Sequence, residues 1–389
     1  MPVLNSISAM HEEITAWRRD LHEHPELGFE VHRTAGIVAE KLRAFGCDEV
    51  VSGIGRTGVV GVIRGRKTGS GRVIGLRADL DALPIHEQSG APYASKTPGV
   101  MHACGHDGHT AMLLGAAKYL SETRNFDGTA IVIFQPAEES GGGGREMVQA
   151  GMMDRFGVQE VYGLHNSPEL PVGAFATRPG PIMAAYDHIA IKIQGKGGHG
   201  ARPHASIDSV LAGAHIVTAL QSIAARNVDP LESCVVSICT FHAGTASNVI
   251  PDTAELTGTA RSLEPHIRDM LEKRVGEIAA LTAQALGATA TTTYTRGYPV
   301  TRNHERQTAF AVGIAAQIVG TDQVNAAMPP VMGAEDFSYM LEARPGAFIM
   351  MGIGQGGAGL HHPAYNFNDE AIPVGVSYWA KLVETGMPA

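Results

Sequence analysis

The chain has 389 residues, more than one ordinary hydrophobic core accommodates, so about two domains are expected. A globular balance of 44% hydrophobic and 18% charged residues excludes disorder, and a net charge of −9 with no Lys/Arg block argues against a nucleic-acid partner. No stretch reaches the ~18 apolar residues of a membrane span, the N-terminal residues do not read as a signal peptide, and four scattered cysteines suit a reducing cytoplasm.

In chain order, Met10, Ile14, Trp17 and Leu21 recur at helical spacing over residues 8–23. A second helix is expected over 34–45, ended by Gly46. Short apolar runs at 73–76, 130–134 and 161–164 read as buried strands, with a helix over 109–121 between the first two. This alternation predicts an α/β sheet, whose ligand crevice lies past the carboxyl ends of the strands. A polar cluster follows each of these strands: Asp79 and Asp81, then Gln135 to Glu139, then His165 and Asn166.

From His188 the pattern changes. Residues 188–194, 234–241, 254–262 and 291–295 read as strands, and 206–226 and 264–286 as helices. The order β-α-β-β-α-β is the ferredoxin-like arrangement. It is expected to form an inserted domain over 183–295, between a larger domain's two parts at 1–182 and 296–389. Helix–strand alternation resumes with segments at 304–319, 337–341 and 347–353 and a closing helix near 371–384.

Eighteen histidines, twice the tyrosines, are unusual, and several sit in turns where side chains tend to serve sites. The densest signal is Met101-His-Ala-Cys-Gly-His-Asp-Gly-His109, a turn entering a helix, where Cys104 and His106 can face one cation. Next is Gln135-Pro-Ala-Glu-Glu139. Adjacent strand residues point to opposite faces, but a turn after Pro136 could aim Glu138 and Glu139 at one crevice, one as ligand and one as base. His165 and one of His361 or His362 complete the set. Five ligands exceed the ~3–4 of a single zinc site, and two ions sharing a bridge fit better.

These motifs resemble the aminoacylase and hippurate-hydrolase branch of the co-catalytic metallopeptidase family that includes acetylornithine deacetylases; plant indole-acetyl-amino-acid hydrolases are similar. The resemblance runs through His24-Pro-Glu-Leu27, Leu76-Arg-Ala-Asp-Leu-Asp-Ala-Leu-Pro84, the Cys104/His106 turn, Glu138-Glu139, Leu164-His165, the glycine-rich run 195–204, Asn248-Val-Ile-Pro251 and His361. It implies a metallopeptidase-type catalytic domain with an inserted ferredoxin-like lid that also makes a homodimer. It implies two divalent ions (Zn, Mn, Co or Ni) on Cys104, His106, Glu139, His165 and His361, the last chosen over His362 because the family motif reads His-x-Pro. The family's usual first ligand histidine is replaced, with Asp79 or a neighbour in its place. Glu138 is the implied general base, His199 steadies the oxyanion in a neighbouring subunit's site, and Asn248 and Arg261 clamp the substrate. The reaction implied is hydrolysis of N-acyl-L-amino acids, benzoyl-glycine first, to a carboxylic acid and a free amino acid.

Other readings are a metallo-carboxypeptidase or dipeptidase, a hydrolase using Cys104 as nucleophile, and a non-catalytic metal- or ligand-binding protein. Nucleotide binding fails in context: Gly53-Ile-Gly-Arg-Thr-Gly58 matches the dinucleotide fingerprint, but residues 59–63 continue as strand where that motif needs a helix.

Overall fold

In the computed structural model, which describes residues 5–389, the apolar runs become the middle of an eight-stranded sheet. Strands Thr129–Gln135, Val73–Asp79, Glu160–Ser167 and Gly346–Gly352 lie side by side and parallel. Their side chains are almost wholly buried, which is why they read as continuous apolar segments rather than alternating ones. Their parallel course brings the segments that follow Asp79 and Gln135, and the end of Glu160–Ser167, to one edge of the sheet.

The sheet belongs to a unit comprising Met1–Ile182, Arg302–Pro329 and Asp336–Ala389; the first four residues of the expected domain 1–182 lie outside the described ones. The segment that mimicked a dinucleotide fingerprint is a hairpin turn. It joins Glu49–Ile54 to Gly58–Arg64, with Gly53, Gly55 and Arg56 at positive φ. Helix His11–Glu23 is shorter than expected at its start, and Asn5–Ser8 forms a separate turn of helix. No helix among the described residues is long and apolar enough to cross a membrane.

Arg18 and His22 of helix His11–Glu23 are wholly buried. His22 sets Nδ1 2.8 Å from Asp107 Oδ2 and Nε2 3.1 Å from Glu87 Oε1, so both ring nitrogens donate and the ring is an imidazolium. Burial alone would lower its pKa, but Asp107 and Glu87 outweigh it and raise it to about 9. A folded-state pKa above the ordinary value stabilises fully below about 6.5, and the contribution is lost as pH rises through 9. Urea midpoints of the wild type should therefore fall between pH 6.5 and 9. In His22→Gln the midpoint at neutral pH should be lower and this part of the slope absent; an unchanged slope would place the titrating group elsewhere.

The second unit comprises Met183–Thr301 and Pro330–Glu335. It therefore extends past residue 295, where the sequence reading ended it, and takes in a short later segment. Its antiparallel sheet has the order Cys234–Ala243, Thr253–Ser262, Ala185–Gln194, Thr289–Arg296, the ferredoxin-like order for strands read as first to fourth along the chain. Burial alternates along Ala185–Gln194, and Ile189, Ile191 and Ile193 pack with Ile216 of helix Ser209–Leu220 and Leu271 and Val275 of helix Pro265–Ala285. The helix expected over 206–226 starts three residues later because the Asp208 side chain caps the Val210 and Leu211 amides, and it breaks at Gln221.

Candidate metal centre and active site

After Thr129–Gln135 the chain turns at Pro136 and Ala137, and Ala137 takes φ 54°, an uncommon conformation for a residue with a Cβ. The turn breaks strand alternation and sends Glu138 and Glu139 to the same place: each offers a carboxylate oxygen within 4.8 Å of a His106 ring nitrogen. Their successive amides donate to the two oxygens of one carboxylate, Glu138 N–H to Asp81 Oδ1 at 2.9 Å and Glu139 N–H to Oδ2 at 3.1 Å. The turn is backed by Gly143, whose amide donates to Ala137 O at 3.1 Å; a Cβ there would stand 1.7 Å from Pro136 O.

Helix His106–Thr123 begins three residues before the expected start, at Gly105, which has φ 85°. A Cβ on Gly105 would meet Asn166 Nδ2 at 2.4 Å. Asn166 Nδ2 donates to Cys104 O at 2.6 Å and Tyr365 Oη donates to Asn166 Oδ1 at 2.8 Å, so the Cys104 turn is tied to the strand carrying His165.

The histidines are held by one nitrogen with the other left over. His106 Nδ1–H donates to Asp81 O at 2.8 Å and its buried Nε2 has no hydrogen-bond partner among the described residues. His165 Nδ1–H donates to Asn166 O at 2.7 Å, leaving Nε2 3.5 Å from Cys104 Sγ. His361, also at positive φ (61°), is fixed by its amide to Ala103 O at 2.8 Å. Its Nε2 stands 3.2 Å from Glu139 Oε1. His362 instead turns back on its own loop, where Nδ1 accepts from the Ala364 amide at 3.0 Å.

Cys104, His106 and His165 form one set of donors within 4.8 Å of each other, and Cys104, Glu139 and His361 form another, with Cys104 common to both. Burial and then the Glu139, Glu138 and Asp79 charges hold the Cys104 thiol well above its ordinary pKa. Burial opposes a charge on His106 too, but Asp79, Asp81 and Glu139 push its pKa up to about 10. A field that keeps a proton on a buried imidazole also attracts a divalent cation, which would displace that proton and turn the thiol into a thiolate. The orphaned His106 Nε2 and Glu139 Oε1 and the mixed S, N and O donors fit such an ion.

Asp79 is already engaged. Its Oδ1 accepts from His109 Nδ1 at 2.6 Å and its Oδ2 from Arg77 at 2.7 Å, while Oδ2 lies 3.6 Å from His106 Nε2. His109 Nε2 accepts from the Asn166 amide at 2.9 Å, so the ring is neutral, and burial lowers its pKa to about 4. Arg77, His109, Gln135 and Asp336 were not singled out from the sequence. Arg77, His109 and Gln135 stand in the motifs quoted above, but a charged residue in a buried strand shows its purpose only through partners distant in sequence.

The remaining expected residues lie in the other unit. His199 sits in the two-residue strand Gly198–His199 paired with Val249–Ile250, and the Asn248 carbonyl accepts from the Gly200 amide at 2.8 Å. His199 Nδ1 accepts from the Ala201 amide at 3.1 Å, so Nε2 carries the proton and is a donor. Arg261 lies near the end of Thr253–Ser262, its guanidinium 4.5 Å from the Tyr186 ring centre, a cation–π contact rather than the surface ion pair a lone strand arginine suggests.

Residues 75–385 match the model of peptidase family M20/M25/M40. The hippurate hydrolase of Campylobacter jejuni is 41% identical over 98% of this chain and 98% of its own length. Thermostable carboxypeptidase 2 of Saccharolobus solfataricus is 42% identical over 93% and 91%. A Bacillus subtilis protein described as a dinuclear metal-binding peptidase of the M20 family superposes with a TM-score of 0.84 at 38% identity, over 98% of this chain and 99% of that one. With the family model spanning most of the chain and these relatives covering nearly all of it, the chain belongs to peptidase family M20/M25/M40.

Proposed function

We propose that Cys104, His106, Glu139, His165 and His361 would hold two divalent cations, and that Glu138 is the general base of the reaction. The chain is a metal-dependent hydrolase of the amide bond of N-acyl-amino acids. The observation that carries the site assignment is the pair of donor sets overlapping at Cys104 beside a buried Glu138.

Divalent cations held there would supply Lewis-acid charge to lower the pKa of a water and polarise an amide carbonyl. Glu138, at 6% exposure and fixed through its own amide, takes the proton of the attacking water and returns it to the leaving amine. The Nε2–H of His199 from a neighbouring subunit is the donor for the oxyanion, and Asn248 and Arg261 hold the substrate, with Arg261 matched to a carboxylate. These three roles rest on the family resemblance. So does the homodimer, for which the lid offers the edge strand Cys234–Ala243, paired on one side only. The second unit, Met183–Thr301 with Pro330–Glu335, is the proposed lid and dimerisation domain, and the first unit the catalytic domain. Four free cysteines suit the cytoplasm.

Hippurate and related N-acyl-amino acids are the proposed substrates. The similarity to a carboxypeptidase supports a second reading, in which the acyl group is a peptidyl residue; both readings need the free carboxylate of the released amino acid. Released amino acid should be measured over benzoyl-, acetyl- and longer-acyl-amino acids, N-blocked dipeptides and free dipeptides, after chelation and then with Mn²⁺, Zn²⁺, Co²⁺ or Ni²⁺ restored. Metal-dependent release from hippurate above the dipeptides is expected. A preference for dipeptides selects the second reading, and release that survives chelation rejects the metal mechanism in favour of Cys104 as nucleophile.

A further inference from the structure

We propose that Tyr186 is a positioning residue for the substrate-carboxylate clamp, fixing the Arg261 guanidinium over its ring while the N–H edge stays open; the inference rests on the functional reading above. Tyr186 and Arg261 stand directly opposite each other on the antiparallel strands Ala185–Gln194 and Thr253–Ser262, so their side chains share one face of the sheet. The guanidinium carbon lies 4.5 Å from the ring centre. Both side chains are half-buried, and among the described residues the guanidinium has no hydrogen-bond or ion-pair partner. A guanidinium stacked on a ring uses its flat face, whereas a carboxylate takes two N–H groups along its edge, so the two contacts coexist. The stack orders a long side chain before the anion arrives and consumes none of the donors the anion needs.

The ring is itself held in place by a later segment of the same unit. The Tyr186 amide donates to Tyr298 O at 3.0 Å, and Tyr186 O accepts the Gly297 amide at 2.9 Å. The Tyr298 ring meets that of Tyr186 edge-on, centre to centre 6.2 Å. Gly297 leaves the room: a Cβ there would stand 2.5 Å from Tyr186 O and 2.8 Å from its Cδ1.

The experiment measures kcat and KM of wild type, Tyr186→Leu, Tyr186→Phe, Arg261→Met and the Tyr186→Leu/Arg261→Met double variant, on hippurate and on its carboxamide, with Zn²⁺ saturating. Ordering one long side chain typically carries about 2–10-fold in affinity. In Tyr186→Leu, KM on hippurate should rise by about that factor, with kcat nearly unchanged and the carboxamide unaffected. Tyr186→Phe should restore the wild-type KM, because it keeps the ring face. The double variant should match Arg261→Met, since the ring acts only through the guanidinium. A wild-type KM in Tyr186→Leu, the same rise with Phe as with Leu, or a further rise on the Arg261→Met background overturns the proposal and leaves Arg261 as the clamp. Arg261→Met with a wild-type KM on hippurate sinks the clamp and the proposal together. If Tyr186→Leu does not fold, the wild type decides: the Arg261 Nε–H resonance, assigned by its loss in Arg261→Met, should be moved upfield by the ring current, and the position of a free arginine overturns the proposal. A wild type active only on dipeptides is compared in the same way on a dipeptide and its carboxamide; one inactive on both classes sinks the functional reading and this proposal with it.

Discussion

Glu138→Gln lowers kcat by roughly 10²–10⁴, the usual worth of a positioned general base, with the metal content of the wild type retained. The change is isosteric, and the Glu138 amide still donates to Asp81, so the turn keeps its shape. What is lost is the carboxylate that accepts and returns a proton. Elemental analysis beside the kinetics is essential because Glu138 also lies in a donor set with His106 and Glu139. Full metal content with collapsed turnover identifies a base. Loss of metal together with activity would make Glu138 a ligand and leave the base unassigned.

Arg77→Met destabilises the large unit by about 3–5 kcal/mol, the typical effect of removing one partner from a buried ion pair. Arg77 is fully buried, and its guanidinium donates to Asp79 at 2.7 Å, Gln135 Oε1 at 2.9 Å and Asp336 Oδ1 at 3.1 Å. Burial opposes ionisation of Asp79, but His106, Arg77 and His109 keep it well below the usual carboxylate range. Methionine fills the volume without the charge and takes the guanidinium counter-charge away from two buried carboxylates. Asp336 also accepts the Gly144 amide at 2.8 Å, beside the Gly143 amide that ties the Ala137 turn, so turnover should fall as well. Urea unfolding measures the first effect. A loss under about 1 kcal/mol would mean the network is neutral or solvated, contrary to its geometry.

Strands such as Thr129–Gln135 are legible in the sequence because burial on both faces demands an unbroken apolar run. The second unit is legible for the opposite reason, since a sheet buried on one face alternates, as Ile189, Ile191 and Ile193 do. The cluster of polar residues past the strand ends locates the crevice, because parallel strands bring their carboxyl ends to one edge. Donor chemistry at Cys104, His106, Glu139 and His165 is equally local: these residue types can be recognised one at a time.

What the tertiary structure alone decides is how these groups are aimed. The helix at His106 begins earlier than periodicity indicates because Gly105 can take a left-handed turn against Asn166. Ala137 adopts an uncommon φ, held on one side by Asp81 and on the other by Gly143. His361 rather than His362 meets Glu139 because the Ala103 carbonyl captures its amide. Arg77 joins Asp336 across 259 residues of chain, and Gln135 joins it across 201. Hydrophobic burial repeats with the local period of helix or strand and so is written along the chain. A hydrogen bond between two buried polar groups has no period, and its partner is known only once the chain has folded.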